Sequence, residues 1–213
     1  PPMWTKPYGS TGKHVSAVSF GGMRFADFND IDGMAPIVKH AYDKGINYFD
    51  TAPGYGAGKS EEIMGAAFKH MDRDNFFVST KSIKSDGDEL RQELEQSLDR
   101  MGVDTIDFFH IWCVVSMDAW QGRLDHGAVA AALKAKEEGL VKHVAISSHL
   151  PGEELAGVLR EGYFDGVLLG YCAINSPYRE PVVTLAAEKG MGVMTMNPLS
   201  GGLIPNNPER FDF

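Results

Sequence analysis

The chain has 213 residues, enough for one domain with a substantial core and short for two of ordinary size. Hydrophobic residues make up 43% and charged residues 23%, an ordinary globular balance, with no recognisable secretory signal, transmembrane run or low-complexity tract. The 20 basic and 29 acidic side chains leave a net charge of −9, which argues against nucleic acid and anionic membrane as partners, and no local basic cluster restores either.

Short β-type runs follow one another along the chain. Val15–Phe20 leads into Gly21-Gly22, and Ile46–Asp50 comes next. Phe76–Lys81, Ile106–Trp112, His143–Ser147, Gly166–Tyr171 and Gly192–Met196 complete the set. All are rich in β-branched and aromatic residues and are bounded by Gly or Asp. Helical patterns lie between them. Leu90, Leu94, Leu98 and Met101 share one helical face, with Asp86 or Asp88 as a candidate cap. Ala130–Leu140 reads as a second helix stopped by Gly139, and Val182–Ala186 as a third ending near Gly190.

Strands alternating with crossover helices predict a parallel sheet. Even spacing of seven runs predicts a TIM-type (β/α)₈ barrel in a single domain, with the eighth strand lying beyond Phe213. The start at Pro1 points the same way, to residues missing at one or both ends. An open doubly wound sheet is the alternative, but no G-x-G-x-x-G follows the first run. Cys113 and Cys172 form no metal-type pair, which fits a reducing, cytoplasmic compartment and predicts two small buried residues.

In a parallel barrel the working residues stand where strands end. Asp50 and Tyr55 follow the second run, and Lys81 ends the third. Carbonyl reduction needs a proton donor at the forming alkoxide. A free Tyr, at pKa ~10, holds its proton too tightly near neutral pH. A neighbouring ammonium lowers that value, and a carboxylate keeps the ammonium charged. Asp50, Tyr55 and Lys81 are therefore a candidate proton-delivery cluster. On chemistry alone, an Asp–Lys salt bridge with Tyr as a loop residue explains them equally well.

Phe49-Asp50-Thr51-Ala52-Pro53-Gly54-Tyr55, followed by Gly58-Lys59-Ser60-Glu61 and Gly65, resembles the second-strand signature of aldo/keto reductases. Gly21–Phe25, Ser79-Thr80-Lys81, Gly102–Asp107 and Pro198–Gly202 resemble the same family in the same order, so the likeness runs from about Val15 to Leu203. It implies a (β/α)₈ barrel and NADP(H) across the barrel mouth. It also implies reversible reduction of a small aldehyde or ketone, with a catalytic Asp, Tyr, Lys and His. By position Tyr55 is the acid, Lys81 its tuner and Asp50 the orienting carboxylate. The cofactor contacts implied are Gly22, Met23, Arg24, Asp50, Ser147, Ser148, Met196, Asn197, Pro198, Leu199 and Gly201.

The chain departs from the pattern at several points. Counted from Asp107, the family's His falls on Trp112, while His110 lies two residues earlier on the same strand face. His110 joins the site if the strand slips or bulges; otherwise it is a core histidine and Trp112 shapes the pocket. Ser147-Ser148 stands where the family often has Ser-Asn, Leu168 where it often has Gln, and Met196 where it often has an aromatic ring. The phosphate-binding Lys/Arg cluster around and after strand eight is not in the chain. The likeness is strongest to a bacterial and archaeal branch that often carries a C-terminal iron–sulfur segment, but two isolated cysteines support neither a cluster nor a metal site. These departures leave a second expectation, a catalytically weak nucleotide- or metabolite-binding barrel. A third is an unrelated barrel enzyme using the Asp/Lys pair. The Cys113–Arg123 stretch reads as the longest loop, and Trp112, Met117 and Trp120 suggest an apolar pocket there, with simple loop packing as the competing account.

Overall fold

The computed structural model describes residues 2–211. A hairpin of β1 (Thr5–Pro7) and β2 (His14–Ser16) precedes a sheet of seven strands, which pair in chain order. They are β3 (Phe20–Gly21), β4 (Tyr48–Asp50), β5 (Phe77–Ser82), β6 (Ile106–Val114), β7 (Val141–Ser148), β8 (Gly166–Gly170) and β9 (Gly192–Met196). Every neighbouring pair in the large sheet is parallel, and β3 and β9 are its edge strands. The helices are α1 (Ile31–Asp43), α2 (Lys59–Phe68), α3 (Gly87–Met101), α4 (Met117–Asp125), α5 (Ala128–Glu137), α6 (Gly152–Arg160) and α7 (Ser176–Glu188). This is an incomplete (β/α) barrel, as the alternating pattern predicts.

Side-chain alternation divides each strand between two environments. Phe49, Val78, Phe109, Val144 and Val167 face the helices and build the main core. Tyr48, Phe77 and Phe108 face the interior, in a smaller cluster with Tyr8 and Val15 of the hairpin. Both faces are therefore apolar over most of their length, which is why the strands read as near-continuous hydrophobic runs. Asp86 caps α3 by accepting from the backbone N–H groups of Asp88 (2.9 Å) and Glu89 (3.0 Å), and Gly102 closes it in the left-handed region.

Two segments differ from the sequence reading. The Val15–Phe20 run is split: its first part belongs to the hairpin, and only Phe20 reaches the barrel sheet. Val18, between the two, is exposed. The stretch read as a long loop contains α4, capped by Ser116, which accepts from Ala119 N at 3.1 Å. Trp120 lies in the core, with its ring against Tyr163 and Phe164 and its Nε1 donating to Glu161 at 2.9 Å. Of the three aromatic and sulfur side chains read as a pocket, it therefore contributes nothing to one.

Tyr8 makes the curl of the sheet measurable. Its ring lies 4.4 Å from Phe108 on β6 and 6.4 Å from Tyr48 on β4. A Cβ on Gly166 of β8 would come within 2.1 Å of the Tyr8 hydroxyl oxygen, and one on Gly192 of β9 within 2.1 Å of its ring. One side chain thus lies against β4, β6, β8 and β9, strands up to five places apart in the sheet, which only a strongly curled sheet permits. Among the described residues the buried Tyr8 hydroxyl has no hydrogen-bond partner. Gly166→Ala should cost about 1–3 kcal/mol in urea unfolding through overpacking. Tyr8→Phe removes an unpartnered hydroxyl, so it should be neutral or stabilising, and it should reduce the cost of Gly166→Ala. A Tyr8→Phe variant as unstable as Gly166→Ala would contradict this packing.

Candidate active site

Strand register brings Asp50 beside Ser79, and Lys81 beside His110. Lys81 Nζ donates to Asp50 Oδ2 and to the Thr51 carbonyl, each at 2.6 Å. Ser79 Oγ donates to the other Asp50 oxygen at 2.8 Å, so both carboxylate oxygens are engaged. The Lys81 side chain is 1% exposed. Burial pulls its ammonium below the ordinary lysine value, while the charge and hydrogen bond of Asp50 oppose that pull.

Tyr55 opens the short turn Tyr55–Gly58 that follows β4. Lys81 Nζ lies over its ring, 5.2 Å from the centroid, and Trp112 meets it edge-on at 5.5 Å. Asp50, Tyr55, Lys81 and Trp112 therefore converge at the C-terminal ends of β4, β5 and β6. The ammonium faces the aromatic ring, and no Tyr55–Lys81 hydrogen bond forms among the described residues. Burial, then the charges of Asp50 and Cys113, push the Tyr55 phenol above its ordinary value. This differs from the expectation that Lys81 draws the phenol down. The reason is burial first, with the Asp50 charge adding to it, while two of the three ammonium donors already serve Asp50 and Thr51.

His110 lies one layer deeper and is fully buried. Its Nε2 is 3.5 Å from the Tyr48 hydroxyl. The irregularity in β6 falls between Ile111 and Val114, beyond His110, so it does not carry His110 outward. Burial and the Lys81 charge together pull its pKa down to about 4. The structure thus places Trp112, and not His110, beside Tyr55.

The candidate cofactor residues separate in the same way. Gly22–Arg24 form a turn after β3, with Met23 exposed. Ser147 is on the inward-facing register of Ala145 and makes no side-chain hydrogen bond among the described residues. Ser148 faces the other way: it donates to Val114 O at 2.9 Å and accepts from Leu150 N at 3.0 Å. That hydroxyl ties the end of β6 to the turn after β7. Met196 ends β9, and the turn after it has positive φ at Asn197, Ser200 and Gly201. Asn197 Oδ1 accepts from Gly201 N at 2.6 Å, which fixes the turn, while Leu199 stands exposed and Pro198 lies between. Among the described residues no three metal-liganding side chains group together, and no helix is long and apolar enough to cross a membrane.

Sequence reasoning assigned no role to Thr51, Ser60, Glu61 or Thr80. Thr51 and Ser60 hydroxyls are 2.7 Å apart, and Ser60 donates to Gly22 O at 2.9 Å. Glu61 is fully buried, accepting from Thr80 at 2.7 Å and from Arg100 Nε at 2.6 Å. The signal available was the Gly58-Lys59-Ser60-Glu61 motif itself, directly after the Tyr55 turn. A cleft of about 560 Å³, lined by Lys13, Arg73, Phe77 and Lys142 among others, opens away from this mouth, near the N-terminal ends of β5 and β6.

The family described as aldo/keto reductase matches residues 17–211. L-galactose dehydrogenase of Arabidopsis thaliana is 32% identical, over 92% of this chain and 65% of its own length. NADH-specific methylglyoxal reductase of Escherichia coli (strain K12) is 27% identical, over 96% of this chain and 70% of its own. The chain thus spans about two thirds of the length of these curated relatives. An aldo-keto reductase from Bacillus halodurans, in a holo form, superposes with a TM-score of 0.79 at 23% identity, covering 95% of this chain and 68% of that one.

The depressed His110 value makes stability depend on pH. The unfolded chain protonates His110 near 6.5 and the folded chain near 4, so stability falls as pH drops between those values. Between pH 7.5 and pH 5 the loss attributable to this group should be about 2 kcal/mol in urea unfolding. The variant His110→Gln should lose that component. An equally steep fall in the variant would show that His110 is not its source.

Proposed function

This chain belongs to the aldo/keto reductase family, and from that premise we propose that it reduces the carbonyl of a small aldehyde or ketone with a nicotinamide cofactor, Tyr55 acting as the acid. The observation that carries the reading is the convergence of Tyr55, Lys81 and Asp50 at one strand-end cluster. The nicotinamide, when bound, supplies a hydride from C4 to the carbonyl carbon. The carbonyl oxygen then takes the Tyr55 proton and the product is the alcohol. The raised phenol pKa keeps Tyr55 protonated at rest, so the acid is loaded when an alkoxide forms. Lys81, over the ring, offsets the negative charge left on the tyrosinate. Asp50 keeps Lys81 charged in its buried place.

The residues fit a nicotinamide group. Ser147 offers an inward hydroxyl with no partner among the described residues, of the kind a carboxamide needs, and Met196 offers a polarizable surface for a ring. Gly22–Arg24 and the Asn197–Gly201 turn follow the edge strands β3 and β9 at the same end of the sheet. NADP(H) is the expected form, and comparing NADPH with NADH in one assay decides it. His110 is a positioning residue in this reading: its Nε2 lies 3.5 Å from the Tyr48 hydroxyl, and Lys81, its register neighbour, acts on it through charge. A second reading, a barrel that binds nucleotide but turns over poorly, is favoured by Trp112 standing beside Tyr55 where the family carries His.

Tyr55→Phe should lower turnover of a reducible aldehyde by on the order of 10²–10⁴ while leaving NADPH affinity nearly unchanged. NADPH consumption and fluorescence titration measure the two. A variant that keeps most of its turnover removes Tyr55 from the mechanism. A parent that binds NADPH but reduces no aldehyde favours the second reading.

A further inference from the structure

Lys81 is anchored by two acceptors, and only one of them belongs to the proton-delivery cluster. The other is the Thr51 carbonyl, at 2.6 Å. Thr51 is in turn held from two sides. Its N–H donates to Ser79 O at 2.8 Å, and its hydroxyl meets Ser60 Oγ at 2.7 Å. The direction of the second bond follows from the third. Ser60 has one hydroxyl proton and gives it to the Gly22 carbonyl, which can only accept. Thr51 is therefore the donor to Ser60. The chain of contacts runs from Gly22 through Ser60 to Thr51, and through the Thr51 backbone to Lys81.

All the side chains in this path are buried: Ser60 fully, Thr51 and Lys81 each to 1% exposure. Water does not replace a hydroxyl lost there without cost. Gly22 is packed to suit the path. A Cβ at Gly22 would lie 2.3 Å from Ser60 Oγ and 2.9 Å from the Met64 terminal carbon. Ser60 sits in the first turn of α2, whose Ile63, Met64 and Ala67 are buried in the main core. Its backbone is therefore a rigid platform, and a shift of the Gly22 turn must be taken up by Ser60 or transmitted through it.

We propose that Ser60 is a positioning residue that couples the turn Gly22–Arg24 to Lys81, so that the state of the turn after β3 sets how firmly the ammonium is held at the end of β5. The coupling is a property of the folded chain and needs no ligand. Its use in catalysis, by which a cofactor seated on Gly22–Arg24 steadies Lys81 under Tyr55, rests on the reductase reading above.

The test reads Lys81 directly. In uniformly ¹⁵N-labelled protein the Lys81 ammonium is observed through its Nζ resonance, assigned by its loss in Lys81→Met, and its proton exchange with water is measured at fixed pH without cofactor. Ser60→Ala should accelerate that exchange about fivefold to tenfold, the size expected for losing one buried hydrogen bond in the path. Thr51→Val, which keeps the Thr51 carbonyl but removes its hydroxyl, should do the same and serves if Ser60→Ala does not fold. Thr51→Ser, which keeps the hydroxyl, should leave the rate at the parent value. A general loosening of the fold would accelerate other protected groups too, so backbone amide exchange in β5 and β6 should stay unchanged. Gly22→Ala should accelerate Lys81 exchange in the parent and add nothing in the Ser60→Ala background, because the path is already cut. Parent-like exchange in both Ser60→Ala and Thr51→Val overturns the proposal, as does full additivity with Gly22→Ala. Addition of NADPH separates the two readings. If it binds the parent and slows Lys81 exchange, but not in Ser60→Ala, the coupling serves the cofactor. If neither NADPH nor NADH binds the parent, the reductase reading fails while the cofactor-free arms still decide the coupling.

Discussion

A lysine ammonium held almost wholly out of water must have a counter-charge, and in this chain that charge is Asp50. The requirement shapes everything around the pair. It fixes the strand ends that must be adjacent, since β4 and β5 have to pair in a register that sets Asp50 next to Ser79 and within reach of Lys81. It commits both Asp50 oxygens, one to Lys81 and one to Ser79. It also leaves the ammonium with one donor unspent by Asp50 and Thr51, with the Tyr55 ring centroid 5.2 Å away. Buried ion pairs of this sort contribute little net stability compared with a well-packed apolar pair, but removing one partner is costly. Their retention is better explained by the geometry they hold than by the stability they add.

The interior is graded along its axis. At the N-terminal end Tyr8, Tyr48 and Phe108 close the curl with aromatic surface. One layer up, His110 stays neutral because burial and the Lys81 charge both oppose its protonation. Beside it in the register stands Lys81 of the ion pair, and beyond them come Tyr55 and Trp112. Polarity thus rises toward the C-terminal strand ends, where the loops Gly22–Arg24 and Asn197–Gly201 also stand. An aromatic floor beneath a charged layer lowers the local dielectric, and that strengthens the Asp50–Lys81 attraction as well as the burial of Tyr55.

The barrel was legible in the sequence because its strands are apolar on both faces and its helices are not. The strand runs at Phe76, Ile106, His143, Gly166 and Gly192 all correspond to strands with ends shifted by at most two residues at the start and two at the finish. The Val15–Phe20 run misled because β-branched residues continue across a bend, and nothing in the periodicity marks Val18 as exposed. The α4 helix was signalled by Ser116 and by the Met117, Trp120, Leu124 spacing, but a segment following a strand end invites a loop reading. In the site, the identities of Asp50, Tyr55 and Lys81 followed from their places at strand ends. What sequence does not carry is where an ammonium points. The direction of Lys81, toward the ring and not the hydroxyl, depends on the Thr51 carbonyl, which no residue identity announces. The placement of His110 likewise turned on which side of it the β6 irregularity fell.

The central claim is that Asp50 and Lys81 act as one buried charged unit on which the mouth is built. A double-mutant cycle on unfolding free energy tests it most directly, using Asp50→Asn, Lys81→Met and the two combined. Each single change strands a buried group and should cost about 3–5 kcal/mol, while the double variant, with no uncompensated charge, should be more stable than either single variant. Additive losses would contradict the account, since they would mean that the two side chains are held independently of each other.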